Sequence, residues 1–314
     1  MAFNWKTFQT RTLTAVVFAA VMLIGLLWNQ WSFLVLFSII HFGCWWEYFN
    51  LLEKIHNTTY HRYTRIGFML MGYGIVLLFC SHTYAINDYQ LYKNSPLPVS
   101  AAGFVMMGIG IFQTRQLKLK AFGSVALGLI YISLSCALMV SLYRTQIIET
   151  SQTFPFPNPP REVYHDITQP WIIPLIIISS IWINDTMAYI VGSLIGKTSL
   201  SKISPKKTWE GTMGGIILCT VVAGLIFSNV SVGNVIIEMF RLHSIQWYII
   251  PAIVAIFGTL GDLLESKLKR MAGVKDSGNI MPGHGGFLDR FDSLLIAIPA
   301  VWLYIDFLTR TVEI

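Results

Sequence analysis

Nine long apolar runs divide this chain, at about 12–28, 31–49, 66–84, 99–113, 122–143, 171–195, 213–230, 246–264 and 293–309. A backbone in lipid must satisfy its own hydrogen bonds, and runs approaching ~20 residues do so as helices. The sequence therefore predicts an all-α integral membrane protein of about nine transmembrane helices, with 99–113 short for a span. The chain is 54% hydrophobic with mean hydropathy +0.59, so little sequence remains for a soluble domain. We read 1–314 as one polytopic membrane domain, with helices and a connector over 1–170 and the chemistry-bearing helices over 171–314. The first run follows Lys6 and Arg11 as a signal peptide would, but the second begins at Trp31 after only Asn29 and Gln30. An uncleaved helical hairpin is the expectation.

The charges between the runs set an orientation. Of the 22 Lys and Arg, only Lys93, Arg144, Arg161, Arg241 and Arg310 fall on one side of the alternation, and the other 17 fall opposite. The positive-inside tendency then places the N-terminus in the cytoplasm and the C-terminus outside. The net charge of +6 fits anionic lipid headgroups and requires no nucleic-acid partner. Cys44, Cys80, Cys136 and Cys219 are scattered and mostly within the runs, as packing residues rather than metal ligands or disulfide partners. The prolines of 154–160 exclude helix, so 144–170 is expected to be an extended outside connector.

Against so apolar a background, residues 261–292 stand out. Asp262, Asp276, Asp289 and Asp292 are interleaved there with Lys267, Lys269, Arg270, Lys275 and Arg290, around Pro282-Gly283-His284-Gly285-Gly286. Carboxylate oxygens hold divalent cations, and lysine and arginine hold phosphate, which together suit phosphoryl or nucleotidyl transfer. If the eighth helix continues past the membrane, Asp262, Ser266 and Lys269 fall on one face at i, i+4 and i+7. Glycines in the turn let the backbone approach a ligand. Asp289 and Asp292, at i and i+3, open the last run, where helix capping would also explain either one alone. His284 is equally compatible with a purely structural place in its loop.

A second polar segment spans 184–211. Asp185 lies about ten residues inside the sixth run, or about 15 Å deep. A carboxylate there costs roughly 2.5 kcal/mol or more if it faces lipid, so it must face a polar cavity or a basic partner. Gly192, Gly196, Lys197 and Thr198 suggest a P-loop, but three residues separate the glycines where that motif needs four, and no strand precedes them. Ser204-Pro205-Lys206-Lys207-Thr208 makes a basic, hydroxyl-bearing turn suited to phosphate.

Three stretches then combine: Ser266-x-Leu268-Lys269-Arg270, Lys275-Asp276-x-Gly278, and Pro282-x-His284-Gly285-Gly286-Phe287-x-Asp289-Arg290-Phe291-Asp292. They closely resemble the signature of the phosphatidate cytidylyltransferases, or CDP-diacylglycerol synthases. Asp185-Thr186-x-Ala188-Tyr189 and Ser204-Pro205-Lys206-Lys207-Thr208-x-Glu210-Gly211 are similar to that family too. The strong likeness covers 184–292; in the N-terminal half it is confined to topology and a weak Trp46-Glu47-Tyr48. Met281 departs from the family's Leu, Ile or Phe.

The resemblance implies that CTP and phosphatidic acid give CDP-diacylglycerol and pyrophosphate at the cytoplasmic face of a bacterial inner membrane. It implies Mg²⁺, with a second cation left open, held first by Asp262 and Asp289 and then by Asp292. Asp276 and Asp185 would ligate or orient, with Asp185 on the substrate side. Lys269, Arg270, Lys275 and Arg290 would clamp phosphates. Ser204, Lys206, Lys207 and Thr208 would face the triphosphate or headgroup, and Ser266 and His284 would hydrogen-bond phosphate or orient the metal ligands. Monomer and homodimer both remain open. Two other lipid chemistries and transport compete with this reading. CDP-alcohol phosphotransfer needs an Asp-Gly-x-x-Ala-Arg pattern that the chain lacks. A CTP-dependent lipid or polyisoprenoid kinase would release CDP. A transporter would concentrate charge along a midplane path.

Overall fold

A computed structural model describes residues 5–81, 84–114, 118–143, 147–150, 163–166, 170–229, 245–278 and 285–312. Helices stand at each of the predicted runs: α1 Trp5–Leu27, α2 Gln30–His56, α3 Arg62–Leu78, α4 Leu91–Gln113 and α5 Leu119–Leu142. The second half supplies α6 Ile172–Ile195, α7 Trp209–Asn229, α8 Gln246–Met271 and α9 Leu288–Val312. Among the described residues, seven of these helices, all but α1 and α3, are long and apolar enough to cross a membrane. The 17 residues of α3 reach about 25 Å at ~1.5 Å each, short of a ~30 Å hydrocarbon core.

The turn after α1 is tight because Asn29 closes it chemically. Its side-chain oxygen accepts from the Ser32 amide at 2.8 Å, and Ser32 Oγ accepts in return from the Asn29 amide at 3.1 Å. This reciprocal cap starts α2 with only two residues separating it from α1. At the other end Asn57, with φ 47°, ends α2 in the left-handed region that asparagine tolerates.

The aromatic core gathers on α2, where Phe33, Phe37, Trp45 and Phe49 are wholly buried. Opposite them, α5 widens into a π-helical turn at Leu129–Leu134. From this turn Ser133 Oγ accepts from Trp45 Nε1 at 2.9 Å and lies 3.0 Å from His41 Nε2. Ser135, just beyond, donates to the Leu295 carbonyl of α9 at 2.6 Å. One segment of α5 thus ties the aromatic helix to the last helix.

Small residues bring the remaining helices together, as they do where lipid supplies no hydrophobic drive. A Cβ on Gly211 of α7 would stand 2.8 Å from Gly192 Cα of α6, and one on Gly261 of α8 would stand 3.0 Å from Ser293 Cα of α9. Gly192 is therefore a packing residue, which accounts for a glycine where no P-loop forms. All four cysteines are buried and free. The all-helical expectation needs one correction, because two short antiparallel hairpins join the helices. One pairs Ala85–Ile86 with Tyr89–Gln90 and turns at Asn87, φ 52°. The other pairs Ile147–Thr150 with Val163–Asp166, inside the segment read as a plain connector. Both pairs are too short to show alternation in the sequence; the prolines of 154–160 lie outside the described residues.

Candidate active site

The ends of α6 and α8, the start of α9 and the loop leading into α7 converge on one polar region. The loop before α7 is built by its own hydroxyls and amides. The Lys207 amide donates to the Ser204 carbonyl at 3.1 Å, and Ser199 pairs with Thr208. Thr208 Oγ1 accepts from the Gly211 amide at 3.1 Å and so caps α7. Glu210 closes the base of the loop, accepting from the Lys197 and Thr198 amides at 3.2 and 3.1 Å. Ser204 thus shapes the turn, while Lys206, Lys207 and Thr208 reach a cavity of about 380 Å³ that Asp185 and Asp262 also line. Asp185 meets the polar cavity that its depth in the sixth run demands.

Asp262 holds Lys207 in an ion pair and accepts from Ser266 Oγ at 3.2 Å. The predicted shared face of Asp262 and Ser266 is therefore present. Asp292 comes from α9 and is 8% exposed, with Oδ1 accepting from the Ser293 amide at 2.6 Å. Asp262, Asp292 and Asp185 lie near enough to repel one another, and the charge of Arg290 reaches Asp185.

Lys269 leaves the face of Asp262 and Ser266. It turns instead between Glu265, one helical turn back, and Asp289 Oδ1 at 2.6 Å. Glu265 is fully buried, and among the described residues its one partner is this lysine. Asp289 Oδ2 accepts from the Ser277 amide at 2.9 Å and the Gly286 amide at 2.8 Å, and lies 3.0 Å from Ser277 Oγ. A carboxylate offers about four lone-pair positions. Asp289 is thus largely committed to holding its own loop.

Arg270 donates to the Val274 carbonyl at 3.3 Å, at the end of α8. It is exposed, as are Lys275, Asp276 and Arg290, so these groups form the rim rather than the inner network. His284 and Met281 lie outside the described residues.

Three contributors were not among the predicted site residues: Glu265, Ser277 and Glu47. Glu47 of α2 is 1% exposed. It accepts from the Phe287 amide and the Leu288 amide, each at 2.9 Å, and from Ser277 Oγ at 2.6 Å. Its signal was present, since a carboxylate inside an apolar run needs dedicated partners. Glu47 also changes the reading of the glycines. A Cβ on Gly278 or on Gly286 would collide with its carboxylate, so these two glycines admit an acid of the chain itself rather than a ligand.

A polytopic helical protein with carboxylates, lysines and a capped basic turn around one cavity belongs among membrane enzymes that handle phosphates. Residues 9–308 match the cytidylyltransferase family, and the chain belongs to that family. It is 30% identical over 294 residues to a phosphatidate cytidylyltransferase of Staphylococcus saprophyticus, covering 93% of this chain and 96% of that one. Shorter stretches resemble proteins of the same name. The identity is 46% over 123 residues in Bacillus subtilis, covering 39% of this chain and 43% of that one. In Synechocystis it is 36% over 141 residues, 43% of either chain. The protein is a nucleotidyltransferase.

Proposed function

We propose that this site transfers CMP from CTP to phosphatidic acid, yielding CDP-diacylglycerol and pyrophosphate. The carrying observation is the meeting of Asp185, Lys207, Thr208 and Asp262 on one cavity, with Asp292 and Arg290 close by. The family and the names of its members supply the substrates.

The lipid phosphate is a monoester with a second pKa near ~6, hence largely a dianion at neutral pH. Its oxygen attacks the α-phosphorus of CTP, and the bond to the departing pyrophosphate breaks. Such a nucleophile needs no strong base, so the residues have two tasks: to assemble polyanions and to stabilise the leaving charge. Lys206 and Lys207 bring positive charge to the cavity, and the Thr208 hydroxyl lines it. Arg290 and Lys275 stand exposed at the approach.

The donor set fits Mg²⁺. Among the described residues no three of His, Cys, Asp or Glu form a metal-holding group by themselves. Mg²⁺ asks for only one or two carboxylates, with substrate phosphates completing its shell. Asp262 and Asp292 would hold it, joined by Asp289 on exchange of Lys269, and bound there it would neutralise phosphate charge. The repulsion among Asp185, Asp262 and Asp292 supports this reading, because such a cluster gains from a cation.

The charge asymmetry of the loops supports a cytoplasmic site and N-terminus, nine spans with α1 and α3 included, and an inner-membrane location. CTP then arrives from water, and the lipid enters from the leaflet. The test is turnover of purified, detergent-solubilised protein with labelled CTP, phosphatidic acid and Mg²⁺. Equal, Mg²⁺-dependent yields of lipid-soluble CMP and pyrophosphate are expected. CDP with a newly phosphorylated lipid alcohol would replace the proposal with a kinase.

A further inference from the structure

Glu47 reaches the signature loop from 240 residues away in sequence, and nothing in the proposed chemistry uses it. Its carboxylate sits where three chain segments meet: its own helix, Ser277 with Gly278, and the start of α9 with the residues entering it, Asp289 included by way of Ser277. Oε1 accepts from the Phe287 amide, while Oε2 accepts from the Leu288 amide and Ser277 Oγ. The Leu288 and Phe287 amides are among the unsatisfied donors at the start of α9, where negative charge is favoured. No lysine or arginine is paired with Glu47 among the described ion pairs. Among the described residues, hydrogen-bond donors alone therefore balance this buried acid.

The two ends of the signature loop are consequently fixed to one anchor. Ser277 and Gly278 lie on the entering side and Gly286 to Leu288 on the leaving side, and both reach the same carboxylate. Ser277 carries the constraint onward, since its hydroxyl also meets Asp289 Oδ2 and accepts from the Asp289 amide at 3.3 Å. Asp289 in turn holds Lys269. A continuous chain of contacts thus runs from Glu47 through Ser277 and Asp289 to Lys269, which Glu265 holds from the other side.

We propose that Glu47 is a positioning residue for cytidylyl transfer: from the N-terminal half, it clamps both ends of the signature loop and thereby sets Asp289 and Lys269. The inference rests on the functional reading above for its kinetic part only. A glutamine at this place keeps the size, but turns an NH₂ toward donors that need an acceptor.

The experiment compares wild type and Glu47→Gln by steady-state kinetics and by amide exchange of the substrate-free protein. In Glu47→Gln, kcat should fall roughly 10–100-fold, the range typical for groups that orient ligating residues. Exchange at 277–278 and 286–288 should accelerate at least about tenfold, the size expected if each lost hydrogen bond to a charge weakens local closure, while α3 and α4 keep wild-type rates. Glu47→Asp, which retains the charge on a shorter arm, should recover part of kcat. Wild-type kcat in Glu47→Gln, unchanged exchange at those amides, or acceleration equal throughout the molecule would overturn the proposal. Should Glu47→Gln fail to fold, Ser277→Ala is decisive, because it removes only the hydroxyl relay. It should show the same local pattern at smaller size, and normal kcat with normal exchange at 286–288 would overturn the proposal. A wild-type protein that makes no CDP-diacylglycerol would defeat the functional reading, and the exchange comparison would still decide whether Glu47 clamps the loop.

Discussion

Asp262 and Asp289 lie on neighbouring helices and each grips a lysine, yet their surroundings are opposite. The Asp289 side chain is 9% exposed and surrounded by donors from Ser277, Gly286 and Lys269. The Asp262 side chain is 26% exposed, opens on a cavity and has like charges for company. Identical chemistry has been divided between a closed knot that fixes a loop and an open edge that a ligand can reach. We infer that stability belongs to the first and turnover to the second, which is a division that substitutions can test.

The largest effect should come from Asp262→Asn. Removing this charge from the open edge should lower kcat on the order of 10³-fold, as for loss of a principal electrostatic contact. The thermal midpoint should hold or rise, because Asp292 and Asp185 lose a repelling neighbour. A clear drop in midpoint would erase the contrast with Asp289.

Asp289→Asn should show the opposite balance. An amide NH₂ in place of Oδ2 leaves the Ser277 and Gly286 donors unsatisfied, costing about 1–3 kcal/mol for each group. Activity should fall on the order of 10²-fold with a lowered midpoint, while insertion into the membrane is retained. A fully stable Asp289→Asn protein with normal turnover would refute both the knot and the assignment of Asp289 to the site.

The smallest change is expected for Lys207→Ala. The KM for CTP should rise roughly tenfold, as for loss of one charge-assisted contact of about 1.5 kcal/mol, with kcat within about threefold. A kcat loss matching that of Asp262→Asn would instead make this lysine part of the chemistry itself.

The helices were legible because lipid imposes one solution on a long apolar run, and α2, α6 and α8 fall where hydropathy places them. Asp185 was legible for the same reason, since depth forces a polar neighbour. Asp262 with Ser266 followed from helical spacing. Lys269 did not, because a long side chain can swing to Asp289, and that partner depends on how α8 packs against α9. Glu47 was visible as an anomaly, but its partners lie in another half of the chain and no periodicity connects them. The glycines at 278 and 286 were recognisable as places needing close approach, though what approaches is set by tertiary packing.

The anchor supplied by α2 also has a consequence for the order of synthesis. Glu47 leaves the ribosome 230 residues before Ser277. At roughly 5–20 residues per second, it waits roughly 10–50 s for its first partner. During that interval α2 must keep its acid at the aqueous edge, because an uncompensated charge in hydrocarbon is costly. The helix can settle into its final depth only when the start of α9 arrives. Assembly of the site therefore waits on α9, and a nascent chain stalled before α9 should be inert however many of its earlier helices have inserted.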